Sequence, residues 1–144
     1  MAAGRPPALR PPQGPTNRRV IRYAHVLLLH AEAANEAGNP QAALTSLNKV
    51  RARARDDDAD PSNDPGGVLP DIATTTQSEL RDIIWHEQRV EFAMEYQRFF
   101  NLVRQGRTDL MADDGFQEGV NERFPIPQEQ LDQGTALDQN PGYE

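Results

Sequence analysis

The sequence contains no cysteine among its 144 residues. This absence excludes a disulfide, a thiolate nucleophile, a cysteine-ligated metal and a lipid-modified cysteine within the chain. Long apolar runs are also missing, because His25, His30 and Glu32 interrupt the most apolar stretch, residues 24–34. Such a stretch cannot span a bilayer. The N-terminus lacks the apolar segment of a signal peptide, so we expect no secretion signal in this chain.

Basic residues are fewer than acidic ones, 15 against 22, which gives a formal net charge of −7. Residues 1–19 contain five prolines, four arginines and no acid, and this composition predicts a flexible arm. The remaining residues, 20–144, are predicted to form the folded part, with 11 bases and 22 acids. This acidic balance argues against nucleic acid or an anionic membrane surface as a partner.

Apolar residues recur at helical spacing from Asn17 to Ala37, and Gly38 follows where a left-handed residue ends a helix. This first helix is predicted to be buried on more than one side. Its two apolar faces hold Val20, Leu27, Ala31 and Ala34, and Ile21, Leu28 and Glu32.

A second helix is predicted from about Pro40 to Arg55, since proline suits the first helical position. Its inner face is expected to hold Ala43, Leu44, Leu47, Val50 and Ala54. The short connection makes the two helices an antiparallel hairpin. The hairpin resembles one tetratricopeptide unit, and an ordinary helical hairpin fits the pattern equally well.

Residues 56–76 form an acidic loop rich in proline and glycine. A calcium-binding EF-hand loop is not predicted, because no glycine stands at its sixth position. The third helix is expected to start with a capping box, Thr76 to Glu79, and to continue to about Glu95. A shorter helix is predicted over Gln97–Gln105, and the tail beyond Asp113 is expected to lie extended over the surface.

The stretch HEQRVEFAMEYQRFFNLVRQGR, residues 86–107, places Glu87, Glu91 and Glu95 four residues apart. A zinc-protease helix needs a second histidine four residues after the first, but Val90 stands there after His86. A glycosidase needs two carboxylates facing each other across a substrate, not along one helix. We therefore predict no catalytic, metal-binding or cofactor-binding residues.

Carboxylates at this spacing repel one another, and arginine side chains would satisfy them with paired hydrogen bonds. We predict a structural ion-pair network that also draws on arginines of the hairpin, Arg22, Arg51 and Arg53. The network is expected to comprise Glu87, Glu91, Glu95, Arg89, Arg98 and Arg104. The neighbouring aromatic residues, which arginines flank, could stack on sugars or bases, but at helical spacing a core role is favoured. They are Trp85, Phe92, Tyr96, Phe99 and Phe100.

Four blocks of the sequence occur in the order and character of the C-terminal part of the SusD/RagB family. They are IRYAHVLLLHAEAANEAGNPQAALTSLNKVRARA, LRDIIWHEQRVEFAMEYQRFFNLVRQGR, RFPIPQEQL and QNPGY. The resemblance covers most of residues 20–143. Three positions depart from the family pattern: Tyr96 replaces a usual Gly, Asn101 a usual Asp and Gln88 a common Arg.

The resemblance implies an all-α fold, in which a tetratricopeptide-like hairpin packs on a further helix, with extended loops and an extended C-terminal tail. It also implies non-catalytic binding of a glycan or other nutrient at the outer-membrane surface. The implied partner is a SusC-like TonB-dependent transporter, on which the family's lipoproteins act as a lid. We expect this chain to be the C-terminal third of such a protein, without the family's signal peptide and anchor cysteine, and we transfer no ligand-binding residues. The alternative is a soluble tetratricopeptide-like adaptor that binds a protein partner.

Overall fold

The computed structural model describes residues 20–56, 69–73, 76–134 and 136–143. Within these ranges the chain forms helices and turns and no β-strand, which confirms the all-α prediction. The chain divides into two compact units, one up to Arg81 and one from Asp82 onward. The predicted arm, residues 1–19, and residues 57–68 of the predicted acidic loop lie outside the described residues.

Helix α1 runs from Tyr23 to Glu36 and therefore starts later than the predicted Asn17. Arg22 precedes it with an extended backbone, φ −120° and ψ 165°. Val20 and Ile21 are exposed and β-branched, so a helical turn there would lose side-chain freedom without gaining burial. At the other end, Gly38 has φ +76°, the left-handed conformation that its position predicts.

The buried residues of α1 form one broad face. They are Ala24, Leu28, Ala31, Glu32 and Asn35. Val26 and Leu29, on the opposite side of the helix, are exposed. The prediction that this helix is buried on more than one side is therefore wrong in the described structure, because its packing covers a single face.

Helix α2 runs from Pro40 to Asp56, close to the predicted bounds, and packs against α1 as a hairpin. Its buried apolar residues match four of the five predicted ones. They are Ala43, Leu44, Leu47 and Val50. The fifth, Ala54, is exposed. Arg51, also on α2, is buried. Its guanidinium donates two hydrogen bonds to the carbonyl of Pro70, at 3.1 and 2.9 Å.

Helix α3 runs from Gln77 to Glu91, and its first turns belong to the first unit. The predicted capping box is present: the Thr76 backbone N–H donates to Glu79 Oε2 at 3.1 Å, and Glu79 N–H donates to Thr76 Oγ1 at 3.3 Å. The side chains of Asn35 and Gln77 each donate to the other residue's carbonyl, at 2.9 and 2.8 Å. These bonds attach the start of α3 to the end of α1.

Helix α3 ends at Glu91 rather than near Glu95, and residues 92–96 form a turn. Met94 and Tyr96 adopt left-handed backbone conformations in this turn, with φ of 68° and 62°. Such values cannot continue a right-handed helix. Helix α4 then runs from Arg98 to Arg104, within the predicted range.

After α4 the second unit consists of short elements and extended segments. A 3₁₀ helix spans Thr108–Asp114, and helix α5 spans Gln128–Gln133. The prediction of a tail without helix is therefore wrong for residues 128–133, where proline precedes the helix but does not interrupt it. The Gln139 amide holds extended Ile126 by accepting from its N–H at 2.8 Å and donating to its carbonyl at 3.0 Å.

Candidate functional site

The second unit contains an open cavity of about 680 Å³ at the turn between α3 and α4. Its walls combine aromatic rings, arginines and side-chain amides. The lining includes Trp85, Gln88, Arg89, Phe92, Tyr96, Gln97, Arg98, Phe99, Asn101, Gln105 and Asp114. We call this cavity the aromatic–arginine pocket.

The aromatic residues of the pocket differ widely in exposure. Phe92 is buried, at 4% exposed, which confirms the predicted core role for this residue. Trp85 and Phe99 are half-buried, whereas Tyr96 is 90% exposed and Phe100 is 56% exposed. The predicted core role is therefore wrong for Tyr96, which lies in the turn after α3, and for Phe100, which lies on an exposed face of α4.

The turn over residues 92–96 places Tyr96 at the wall of the pocket. Its left-handed backbone projects the ring into solvent instead of along the buried stripe of α3. A large aromatic residue in this conformation is uncommon and costs free energy unless the surroundings fix it. The ring is thus available to a ligand that enters the pocket.

Phe99 forms a small aromatic cluster beside the pocket. Its ring meets Phe100 edge-on, with centroids 5.4 Å apart, and packs on Phe116 and Phe124 at 6.2 and 6.1 Å. These separations are favourable for aromatic pairs. The cluster connects α4 to the segments that follow the 3₁₀ helix and fixes this wall of the pocket.

Three arginines lie at or beside the pocket. Arg89 and Arg98 line it, and the Arg107 guanidinium carbon lies 5.4 Å from the centroid of the Trp85 ring. That distance is within the range of a cation–π interaction. Burial, followed by the positive charges of Arg89 and Arg107, lowers the pKa of the Arg98 guanidinium below its usual range.

Amide side chains form the polar part of the wall. Gln88 is only 2% exposed, and its side-chain oxygen accepts a hydrogen bond from Gln105 Nε2 at 3.1 Å. This bond joins α3 to the residue that follows α4. Because a buried amide with a satisfied partner has a fixed orientation, the wall here is pre-formed.

The six residues of the predicted ion-pair network differ in burial. Glu87 is 5% exposed, Glu91 and Arg98 are half-buried, and the remaining three are exposed. Those three are Arg89, Glu95 and Arg104. The neighbours whose charges act on Arg98 include two further arginines. The pairing of the six side chains stays a prediction.

The prediction treated the aromatic residues and the arginines separately and missed the pocket that they form together. The sequence alternates the two types over residues 85–107, and this alternation is the signal that points to it. The residue types alone do not predict the turn at 92–96. That turn brings the end of α3 and the start of α4 around one cavity.

Over the described ranges, no group of three or more histidine, aspartate or glutamate side chains is arranged to hold a metal ion. None of the helices described above has the length and apolar content that crossing a bilayer requires.

Comparison with known proteins gives a consistent result. The sequence model of the SusD family matches residues 12–123, which is more than half of the chain. SusD-like protein P2 of Formosa agariphila is 34% identical over 140 residues, covering 89% of this chain and 26% of that protein. SusD-like protein P25 of the same organism is 35% identical over 138 residues, covering 84% of this chain and 23% of that protein.

A third relative, SusD-like protein P38 of Formosa agariphila, is 39% identical over 90 residues, covering 62% of this chain and 17% of that protein. The chain thus spans about a quarter or less of the length of these curated relatives. No solved structure matches the chain at a comparable level of significance.

Proposed function

Because this chain belongs to the SusD family, we propose that it takes part in non-catalytic binding of a glycan or another nutrient at the outer-membrane surface. Proteins of this family are associated with the outer membrane as lipoproteins and generally work with SusC-like transporters. The proposed partner is accordingly a SusC-like TonB-dependent transporter. The chain spans at most 26% of the length of its relatives. The proposed activities are therefore those of a whole SusD-family protein that contains this sequence.

The observation that carries this proposal is the extent of the family match. The match over residues 12–123 includes the helical hairpin and also the segment that forms the aromatic–arginine pocket. A tetratricopeptide-like adaptor would account for the hairpin alone. The match therefore favours nutrient binding over the adaptor.

The pocket supports the proposal physically. Its volume of about 680 Å³ lies within the range of small-molecule binding sites. Sugar rings present C–H faces that stack on aromatic rings, and their hydroxyl groups need donors and acceptors when water leaves. Tyr96 supplies an exposed ring, and Gln97 and Asn101 supply amides. This combination suits a saccharide.

The experiment is affinity electrophoresis of the purified chain against a panel of soluble polysaccharides, followed by calorimetry with oligosaccharides of those that retard it. We expect Tyr96→Ala to weaken binding by roughly tenfold, the size of about 1.4 kcal/mol. Tyr23→Ala is the matched control, because Tyr23 is also exposed but belongs to the first unit. Equal weakening by both variants, or retardation by no polysaccharide, would contradict the proposal.

The transporter is tested separately on the full-length protein in its native membrane. The expected result is co-purification with a TonB-dependent transporter after mild detergent extraction. Recovery of the full-length protein without such a transporter, under conditions that preserve other outer-membrane complexes, would oppose this part of the proposal.

A further inference from the structure

We propose that the aromatic–arginine pocket selects acidic saccharides, and that Arg98, with Arg89 and Arg107 beside it, binds their carboxylate or sulfate groups. This inference rests on the proposed function and narrows its substrate class. Uronic acids and sulfate esters share the relevant chemistry, an oxyanion on a sugar ring.

The charges at the pocket differ in sign from the net charge of the chain. The chain as a whole carries a formal charge of −7, so a positive site on it is not a general property of its surface. Among the residues that line the pocket, Arg89 and Arg98 are the cations and Asp114 is the acid. Arg107 adds a further positive charge next to the Trp85 ring. The lining residues and Arg107 thus carry three positive charges and one negative charge, in a chain that is acidic as a whole.

Arg98 lies in an environment that disfavours its positive charge. Its side chain is half-buried, and burial together with the positive charges of Arg89 and Arg107 lowers the pKa of its guanidinium. Burial and repulsion both disfavour the charged form of an arginine, yet an arginine keeps its charge. A bound oxyanion would offset the repulsion with its negative charge, and it would replace lost hydration by accepting two parallel hydrogen bonds from the guanidinium.

Arg89 and Arg98 share the pocket with Tyr96 and with amide side chains. Tyr96 and the amides can bind neutral and acidic sugars alike, so they do not discriminate by charge. An anionic group gains more from an arginine side chain than a neutral hydroxyl does, because its hydrogen bonds are charge-assisted. The presence of arginines beside an exposed aromatic ring therefore points to a sugar that carries an anionic group.

The test is isothermal titration calorimetry of the 144-residue chain with two matched pairs of probes. One pair is tetragalacturonate and its fully methyl-esterified form; the other is a sulfated galactan tetrasaccharide and its desulfated form. We expect at least one acidic probe to bind about tenfold or more tightly than its neutral partner. Its affinity should fall as salt is added, since salt screens exposed charges.

Arg98→Gln is expected to weaken binding of the acidic probe by roughly tenfold to a hundredfold, the size of a charge-assisted hydrogen bond. Binding of the neutral partner should change by less than about twofold. Arg123→Gln is the matched control, because it makes the same change of charge at an exposed arginine outside the pocket. Arg89→Gln, at an exposed position, replaces Arg98→Gln if circular dichroism shows that the latter does not fold.

The outcomes separate the two proposals. Preference for the uronate pair or for the sulfate pair supports the inference and identifies the source of the anion. Equal binding of acidic and neutral partners, unaffected by Arg98→Gln and Arg89→Gln, overturns the inference and leaves saccharide binding in place. Binding of none of the four probes, together with no retardation by the polysaccharide panel, overturns both.

Discussion

Tyr96 occupies a backbone conformation, φ 62°, that glycine adopts readily and tyrosine rarely does. Its ring is 90% exposed, so little packing compensates for this conformation. We expect Tyr96→Gly to raise the free energy of unfolding by roughly 0.5–1 kcal/mol. Glycine removes the strain of the left-handed conformation, and this gain exceeds the loss that comes from the greater conformational entropy of glycine in the unfolded chain. Urea denaturation measures the change.

Tyr96→Ala is the control for this prediction, because alanine removes the ring but keeps the Cβ atom that causes the strain. It should give no gain in stability. If alanine stabilises the chain as much as glycine does, the exposed ring and not the backbone is responsible.

Glu87 is 5% exposed and is the most buried member of the predicted ion-pair network. A buried carboxylate requires partners, and replacing it leaves those partners unsatisfied. We expect Glu87→Gln to lower the free energy of unfolding by more than about 1 kcal/mol. Thermal denaturation measures the effect, with Glu118→Gln as a control at an exposed glutamate. Identical melting temperatures for the two variants would argue against the network.

At the scale of the element, the start of α3 depends on its capping box. Thr76→Ala removes the hydroxyl that accepts from Glu79 N–H at 3.3 Å and donates to Glu79 Oε2 at 2.7 Å. The free energy of unfolding is expected to fall by about 1 kcal/mol, because the Glu79 N–H loses its hydrogen-bond acceptor. Ser78→Ala, at an exposed position in the same turn, is the control in thermal denaturation. Equal losses in the two variants would show that the box contributes nothing.

The elements that the sequence predicts well carry local signals. Gly38 after α1, Pro40 at the start of α2 and the capping box of α3 act within a few residues, and the structure confirms each of them. The end of α3 has no such signal. The residues before Tyr96 continue the helical pattern, so the predicted end of α3, at about Glu95, lies beyond its actual end at Glu91.

The pocket, like the end of α3, could be predicted from the sequence only in part. Its residue types are visible in the sequence, but their convergence requires the turn at 92–96, which helical periodicity does not reveal. The exposed Tyr96 follows from that turn as well. The prediction assigned this ring to a core because it extended α3 to about Glu95, whereas the helix ends at Glu91.

At the scale of the whole molecule, helices are combined with extended segments that side-chain amides hold in place. Asn48 accepts from the Ile72 N–H at 2.8 Å and donates to its carbonyl at 3.0 Å, within the first unit. Gln139 does the same for Ile126 in the second unit. These partners are 24 and 13 residues apart, so a local reading of the sequence cannot pair them.

The chain has a single tryptophan, and that residue lines the aromatic–arginine pocket with a guanidinium over its ring. The tryptophan fluorescence of the chain therefore comes from one place in the molecule. A ligand that displaces Arg107 or excludes water from the indole would change the intensity or wavelength of this emission, and would limit its quenching by acrylamide. The protein thus contains its own optical probe of pocket occupancy, which requires neither a label nor an engineered residue.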